Sequence, residues 1–104
     1  EVQLEMPQGF TVSQNYPNPF NPETRIDYSV AERARVVFEL YGIAGEKIAT
    51  LLDEPAEAGF YIYHFNPAAS GLQLTSGLYL MRVTMYTGNS DRAFSSVKKL
   101  TLLK

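Results

Sequence analysis

Side chains able to perform catalysis are sparse in this sequence. The single histidine, His64, lies in a run of aromatic residues, and no serine or aspartate has the spacing of a known nucleophile motif. A histidine in such a run is typical of a structural residue. Cysteine is absent, which excludes disulfides and metal sites built on thiolates. The sequence therefore predicts no enzymatic activity and no cofactor.

An acidic cluster is the strongest candidate for a metal site. Asp53, Glu54 and Glu57 lie close together in the sequence, and their carboxylate oxygens suit calcium. These three residues lack the alternating ligand spacing of a dedicated calcium-binding loop. We interpret residues 53–59 as a solvated acidic loop and predict no bound metal.

Length and composition indicate one folded domain. The chain has 104 residues, of which 45% are apolar and 19% charged, an ordinary balance for a globular protein. The net charge is −2 and the Lys and Arg residues are scattered, so no basic stripe is available to bind nucleic acid. The longest apolar run covers only residues 78–81, far below the roughly 18 residues of a membrane-spanning helix. We therefore expect no nucleic-acid partner and no membrane span.

Hydrophobic periodicity predicts strands throughout the chain. Seven short segments alternate apolar and polar residues and are closed by turn-forming residues, which is typical of an antiparallel β-sandwich. The predicted segments are 9–14, 25–30, 35–41, 46–52, 60–65, 78–86 and 92–103. Short length, β-branched residues and missing caps argue against helices at 31–40 and 96–104. The sequence therefore predicts an all-β fold.

The same alternation assigns side chains to faces of the strands. Ile26, Tyr28 and Val30 share one face of the second segment. The fourth segment has apolar residues on both faces, which leaves its inward face open. The fifth segment is aromatic on both faces, which indicates a central strand. A hairpin turn at residues 87–90 is predicted to join the last two strands.

The densest local signal is the proline-rich segment 14–22, which reads Gln-Asn-Tyr-Pro-Asn-Pro-Phe-Asn-Pro. Each proline locks its own φ and pushes the residue before it toward extended geometry, so a helix is forbidden here. Proline also cannot donate to a sheet, and asparagine side chains bond nearby backbone instead. We predict a stiff corner between the first two strands. A plain turn with Tyr16 and Phe20 in the core is an alternative interpretation.

This segment also resembles a known family. The pattern Gln-Asn-Tyr-Pro-Asn-Pro-Phe-Asn-Pro-x-Thr-x-Ile-x-Tyr opens the type A sorting domains of the type IX secretion system, and residues 14–28 match it at every fixed position. Later segments are similar to the same family in the same order, so the resemblance spans residues 9–104. They are Val36-x-Phe38-x-Leu40-Tyr41-Gly42-x-x-Gly45, Ala58-Gly59-Phe60-Tyr61, Ser76-Gly77-Leu78-Tyr79 and Lys98-Lys99-Leu100-Thr101-Leu102-Leu103-Lys104. Gly42 stands where the family more often has Asp, and Phe65 replaces its usual Trp.

The resemblance implies an immunoglobulin-like antiparallel β-sandwich of about seven strands that serves as a non-catalytic C-terminal sorting signal. In this family the domain follows a cargo protein and passes through the periplasm. The outer-membrane translocon then reads it, a sortase-like peptidase removes it, and the cargo reaches the cell surface or the medium. On this basis we expect residues 9–104 to form the sorting domain and residues 1–8 to link it to an upstream cargo protein.

The resemblance also implies a docking surface formed or supported by the loop 15–22 and the last strand, 97–104. We expect that strand to be unpaired at its outer edge, because an edge strand binds partners through its backbone while lysines discourage self-pairing. The alternative is that Leu100 and Leu102 merely complete the core. The residues assigned to partner recognition are Asn15, Pro17, Asn18, Pro19, Phe20, Asn21, Pro22, Gly77, Tyr79, Lys98, Lys99 and Lys104.

Two other functions stay open from the sequence. Tyr61, Tyr63 and Tyr86 suggest an exposed aromatic platform of a carbohydrate-binding accessory module, although a small core also uses such residues. An immunoglobulin-like structural spacer of a secreted multidomain protein is the other alternative. A row of exposed, coplanar tyrosines would favour sugar binding, and a free terminal strand would favour sorting.

Overall fold

A computed structural model gives the structure of residues 9–88 and 93–104, and every regular element in these residues is a β-strand. The predicted linker 1–8 and part of the predicted hairpin turn 87–90 lie outside the described residues. The seven strands are β1 (Thr11–Val12), β2 (Thr24–Val30), β3 (Ala34–Gly42), β4 (Lys47–Ala56), β5 (Gly59–Phe65), β6 (Gly77–Thr87) and β7 (Ala93–Leu102).

These strands form two antiparallel sheets. The smaller sheet has the order β1-β2-β5, and the larger sheet has the order β4-β3-β6-β7. The two sheets pack face to face around one core as an antiparallel β-sandwich of seven strands, which confirms the predicted all-β sandwich.

The core follows from the period-two alternation of the strands. In β2, Ile26 and Val30 lie on one face, as predicted, and this face is the inward one, where both are fully buried. The inward residues of β3 and β6 complete the layer; they are Val36, Phe38, Leu40, Met81, Val83 and Met85. Tyr28 packs edge-on against Phe38 with 5.2 Å between ring centroids, and burial raises the pKa of its phenol to about 12.

The strand β4 is longer than predicted. It continues past Leu52 to Ala56, so the predicted acidic loop is wrong for residues 53–56, which pair with the first residues of β3. Pro55 is tolerated because β4 is an edge strand with a partner on one side only. Two register shifts in the β3–β4 pairing explain why apolar residues occur on both faces of the strand.

The prediction of a central position for β5 is wrong. This strand pairs only with β2 and forms an edge of the smaller sheet. Tyr61 and Tyr63 on one face pack against the core, whereas Phe60 and Ile62 on the other face are 63% and 51% exposed. Aromatic and β-branched residues favour a strand whether it has one neighbour or two, so their enrichment did not reveal the position.

Candidate functional site

The proline-rich segment forms a corner between β1 and β2, as predicted. Tyr16 and Arg25 exchange two backbone hydrogen bonds of 3.0 Å, so the chain leaves and re-enters the sheet at neighbouring points. All three X-Pro peptide bonds of the segment, before Pro17, Pro19 and Pro22, are cis.

A buried polar network holds the first half of this corner. Asn15 is only 2% exposed, and its Nδ2 atom donates to Thr24 Oγ1 at 3.1 Å and to the Pro17 carbonyl at 3.3 Å. The Thr24 hydroxyl donates to the same carbonyl at 2.9 Å. Gln14 Nε2 donates to Asn15 Oδ1 at 2.6 Å, so the buried amide has both donors and acceptors in use. The predicted bonding of asparagine to nearby backbone is thereby confirmed.

The two aromatic residues of the corner lie in different environments. Phe20 is buried, with its ring centroid 6.0 Å from that of Phe65, so it belongs to the core. Tyr16 is 46% exposed and lies on the outer face of the smaller sheet, where the Arg25 guanidinium stacks over its ring at 4.8 Å. Hydrogen bonds from Arg25 and from the Tyr16 hydroxyl hold the pKa of the Asp27 carboxyl below its ordinary value.

The second half of the corner binds the last strand. The Phe20 N–H donates to the Thr101 carbonyl at 2.9 Å, and the Leu103 N–H donates to the Phe20 carbonyl at 3.0 Å. Asn18 Oδ1 accepts the Thr101 N–H at 3.0 Å, and Gln14 Nε2 donates to the Lys99 carbonyl at 2.6 Å. We call residues 14–22 together with residues 99–104 the loop–strand junction.

The expectation of an unpaired last strand is therefore wrong for its final third. On its inner side β7 pairs with β6 along its whole length, and on its outer side the proline-rich corner covers residues 99–103. In an antiparallel strand the backbone groups of successive residues point to opposite sides, so Ser95 and Val97 direct theirs to the same outer side as Lys99 and Thr101. No described residue binds the backbone groups of Ser95 and Val97 there. Leu100 and Leu102 are buried, so they do complete the core.

The Ser-Gly-x-Tyr segment lies against the same junction. Gly77 begins β6 opposite Leu102 with a φ of +154°, a value that a residue with a side chain rarely adopts. The Lys104 N–H donates to Ser76 Oγ at 2.8 Å. The half-buried Tyr79 donates its hydroxyl to the Thr75 carbonyl at 2.6 Å and so fixes the turn that precedes β6.

The junction therefore brings most of the predicted recognition residues together, although they differ in exposure. Asn15 and Phe20 are buried and set the geometry. The side chains that a partner could touch are Pro17, Asn18, Pro19, Asn21, Pro22, Lys99 and Lys104. A shallow cavity of about 80 Å³ opens between Pro22 and Leu102. Lys98 stands apart, since its side chain is half-buried on the inward face of β7 opposite Met81.

Three contributors to the junction were missed in the predicted site. Gln14 and Thr24 bind Asn15, and Ser76 binds the backbone of Lys104. All three occupy fixed positions of the segments that resemble the sorting family, so the motif itself was the signal that could have found them.

The three candidate platform tyrosines do not share a surface. Tyr61 stacks on Tyr28 at 5.2 Å and Tyr63 packs against Phe38 at 4.7 Å, both on the inward face of the smaller sheet. Tyr86 lies on the outer face of the larger sheet with Arg35 over its ring at 5.4 Å. The suggested aromatic platform is therefore wrong.

Two members of the acidic cluster, Asp53 and Glu57, form ion pairs with arginines. Asp53 accepts two hydrogen bonds of 2.8 Å from Arg35, and this contact lowers the pKa of its carboxyl. Glu57 pairs with Arg33, and the exposed His64 lies 3.1 Å from Glu23. Within residues 9–88 and 93–104, no group of three potential ligands is placed to hold a metal ion.

None of the described residues form a helix long and apolar enough to cross a bilayer. Comparison of the chain with models of known families, with curated proteins and with solved structures gives no match.

Proposed function

We propose that this domain is a non-catalytic C-terminal sorting signal of the type IX secretion system. It directs an N-terminal cargo protein from the periplasm across the outer membrane to the cell surface or the medium. The outer-membrane translocon recognises the folded domain, and a sortase-like peptidase removes it. This function rests on the resemblance of the sequence to the type A sorting domains.

The observation that carries the proposal is the convergence of the matched segments at the loop–strand junction. The Phe20 backbone pairs with the last strand, and Ser76 binds the backbone of Lys104. A motif that served only as a local turn needs no partner on a strand some 80 residues away. A motif read by a receptor needs a fixed shape, and bonds from two other segments provide one.

The junction offers a receptor two kinds of contact. The exposed rings of Pro17, Pro19 and Pro22 form a surface with few rotatable bonds, so little conformational entropy is lost when a partner packs against it. The ammonium group of Lys99 and the amide of Asn21 are exposed beside them and supply charge and hydrogen bonds. In this proposal Asn15, Phe20, Gly77 and Tyr79 position the surface without touching the partner.

A secretion assay tests the proposal. The whole chain is fused to a periplasm-targeted reporter in a host that has a type IX system, and reporter in the medium and on the surface is measured. Deleting residues 97–104 would remove Leu100 and Leu102 from the core, so loss of export would then report unfolding. The informative variant is instead Asn21→Asp combined with Lys99→Glu, because both side chains are exposed.

The matched control is Glu32→Lys, a charge reversal at an exposed residue beyond the far end of β2. We expect the unmodified domain and the control to export the reporter, and the junction variant to leave it in the periplasm as a folded protein. A reporter that stays in the periplasm with the unmodified, folded domain would overturn the proposal and leave an immunoglobulin-like spacer as the remaining interpretation.

A further inference from the structure

The edges of the two sheets are protected to very different degrees. The outer edge of β4 contains Pro55, two register shifts and charged residues at both ends, all of which oppose pairing with another strand. The outer edge of β7 is covered at residues 99–103 by the proline-rich corner. The strand β1 is only two residues long. The seven-residue edge of β5 has no such protection in the described structure.

Hydrogen bonding fixes which backbone groups of β5 face outward. Arg25 and Asp27 direct their backbone groups toward Tyr16 and Ser13, away from β5, so Ile26 and Tyr28 must direct theirs toward it. The partners of those residues across the ladder are Tyr63 and Tyr61. The intervening residues Phe60, Ile62 and His64 therefore present their N–H and C=O groups at the open edge, and no described residue binds them.

The side chains of β5 include no carboxylate, lysine or arginine that would repel an added strand. Residues 60–63 read Phe-Tyr-Ile-Tyr, and His64 is the only titratable base of the strand. Phe60 and Ile62 are exposed on the outer face, while Tyr61 and Tyr63 are half-buried on the inner face. A short uncharged segment of high strand propensity without proline is the type that pairs with copies of itself. A strand added here must be apolar on both faces.

We propose that a second copy of this chain pairs through β5 in an antiparallel arrangement. Among the described strands β5 itself meets the requirement for the added strand, because it is apolar on both faces and lacks a carboxylate or lysine. A two-fold axis at Ile62 places Ile62 opposite its own copy and Phe60 opposite His64 of the other copy. This arrangement brings no like charges together, and it does not depend on the proposed sorting function.

The proposed pairing stops at two chains and is weak. The outward groups of Phe60, Ile62 and His64 on both chains can form up to about six hydrogen bonds, and the two small sheets become one continuous sheet. A two-fold contact uses the same edge of both chains, and the two-residue β1 at the other edge offers no place to extend the sheet. Edge pairing alone stays below the roughly 1,200 Å² of a stable interface, so we expect dimers only at high protein concentration.

Sedimentation velocity over a wide range of protein concentration tests the proposal. We expect the mass of the whole chain to rise from one chain toward two and then stop. The variant Ile62→Lys places a charge at the centre of the edge and should stay monomeric. Val97→Lys makes the same change at a residue with similar exposure, 54% against 51%, on the outer side of β7 and should dimerise like the parent.

Amide hydrogen exchange identifies the interface independently. At high concentration the amides of Phe60, Ile62 and His64 should gain protection, whereas those of Tyr61 and Tyr63 should be protected at every concentration because they bind β2. A parent chain that stays monomeric throughout overturns the proposal. So does a dimer that survives Ile62→Lys, a dimer lost in Val97→Lys, or protection that appears at Ser95 and Val97 instead.

Discussion

The strands β7 and β5 each have one edge without a neighbouring strand, and the two edges differ in whether another segment covers them. Both are long strands at the end of a sheet, and each turns one row of backbone groups away from its single ladder partner. The edge of β7 is covered at residues 99–103 by groups that arrive from the start of the chain. The edge of β5 stays open and has apolar side chains on both faces.

The difference shows what the prolines contribute. A segment that covers an edge strand normally becomes the new edge and presents its own backbone groups. Pro17, Pro19 and Pro22 have no N–H group, so the corner supplies its pairing groups through Phe20 and the side chain of Asn18. The larger sheet is therefore closed at residues 99–103 of β7, while the smaller sheet keeps the whole edge of β5 open to an added strand.

The largest expected effect is at Phe20, which covers the β7 edge with its backbone and fills the core with its ring. Phe20→Ala should lower the free energy of unfolding by ~3–5 kcal/mol, because it leaves a cavity beside Phe65. Urea titration measures the change. Tyr16→Ala, at the exposed aromatic residue of the same corner, should cost about 1 kcal/mol. Equal losses for the two variants would contradict the division between a core ring and a surface ring.

A smaller loss is expected when the buried amide of Asn15 is removed. Asn15→Ala leaves the Thr24 hydroxyl and the Pro17 carbonyl with fewer partners and should cost ~1–3 kcal/mol of unfolding free energy. A double-mutant cycle with Thr24→Val separates the network from the general effect of truncation. We expect the double variant to lose clearly less than the sum of the single losses. Strict additivity would show that the two side chains act independently.

The contact of Asn18 with the last strand should have a moderate and local effect. Asn18→Ala removes the acceptor of the Thr101 N–H, so the free energy of unfolding should fall by ~0.5–1.5 kcal/mol and the Thr101 amide should exchange faster. Asn21→Ala is the matched control, since Asn21 is an exposed asparagine of the same loop. If both variants leave Thr101 exchange unchanged, the edge of β7 is not covered by this side chain.

The open edge of β5 should respond least in stability. Ile62→Thr keeps a β-branched residue at a half-exposed position, so the free energy of unfolding should change by less than about 0.5 kcal/mol. Thermal and urea unfolding of the monomer at low concentration measure it. A loss as large as that of Asn18→Ala would mean that Ile62 is packed within the monomer, and the contrast between the two edges would fail.

Local alternation was sufficient to predict the all-β fold and the faces of strands such as β2, but not the inward face of β4, where the register shifts. The period of two alone predicts which residues share a face in β2 and β6, because one face of each of these strands is buried; examples are Ile26 and Val30. The position of a strand within its sheet is a different kind of information. The sequence of β5 suits a pleated surface with one neighbour or two, so the edge position of Phe60 and Ile62 was not predictable from propensity.

The loop–strand junction was predictable only in part. The bond of Asn15 to the Pro17 carbonyl is local, and the shortage of donors beside proline predicted a bond of this kind, whereas the side-chain bond of Asn15 to Thr24 was missed. The bonds of Asn18 and Phe20 to Thr101 join residues more than 80 positions apart, and no local pattern contains such a pair. Recognition of the junction by a translocon stays a prediction that the secretion assay tests.

The hydrogen bond between Asn18 and Thr101 also has a consequence for folding during synthesis on the ribosome. These residues are 83 positions apart, so at about 5–20 residues per second the ribosome adds the second roughly 4 to 17 s after the first. Throughout that interval the corner has no strand to cover, and the core lacks Leu100 and Leu102. Contacts between residues so far apart in the sequence form late in folding. A nascent chain therefore completes this domain only once its last strand has emerged, and a chaperone that binds exposed strands has that interval in which to act.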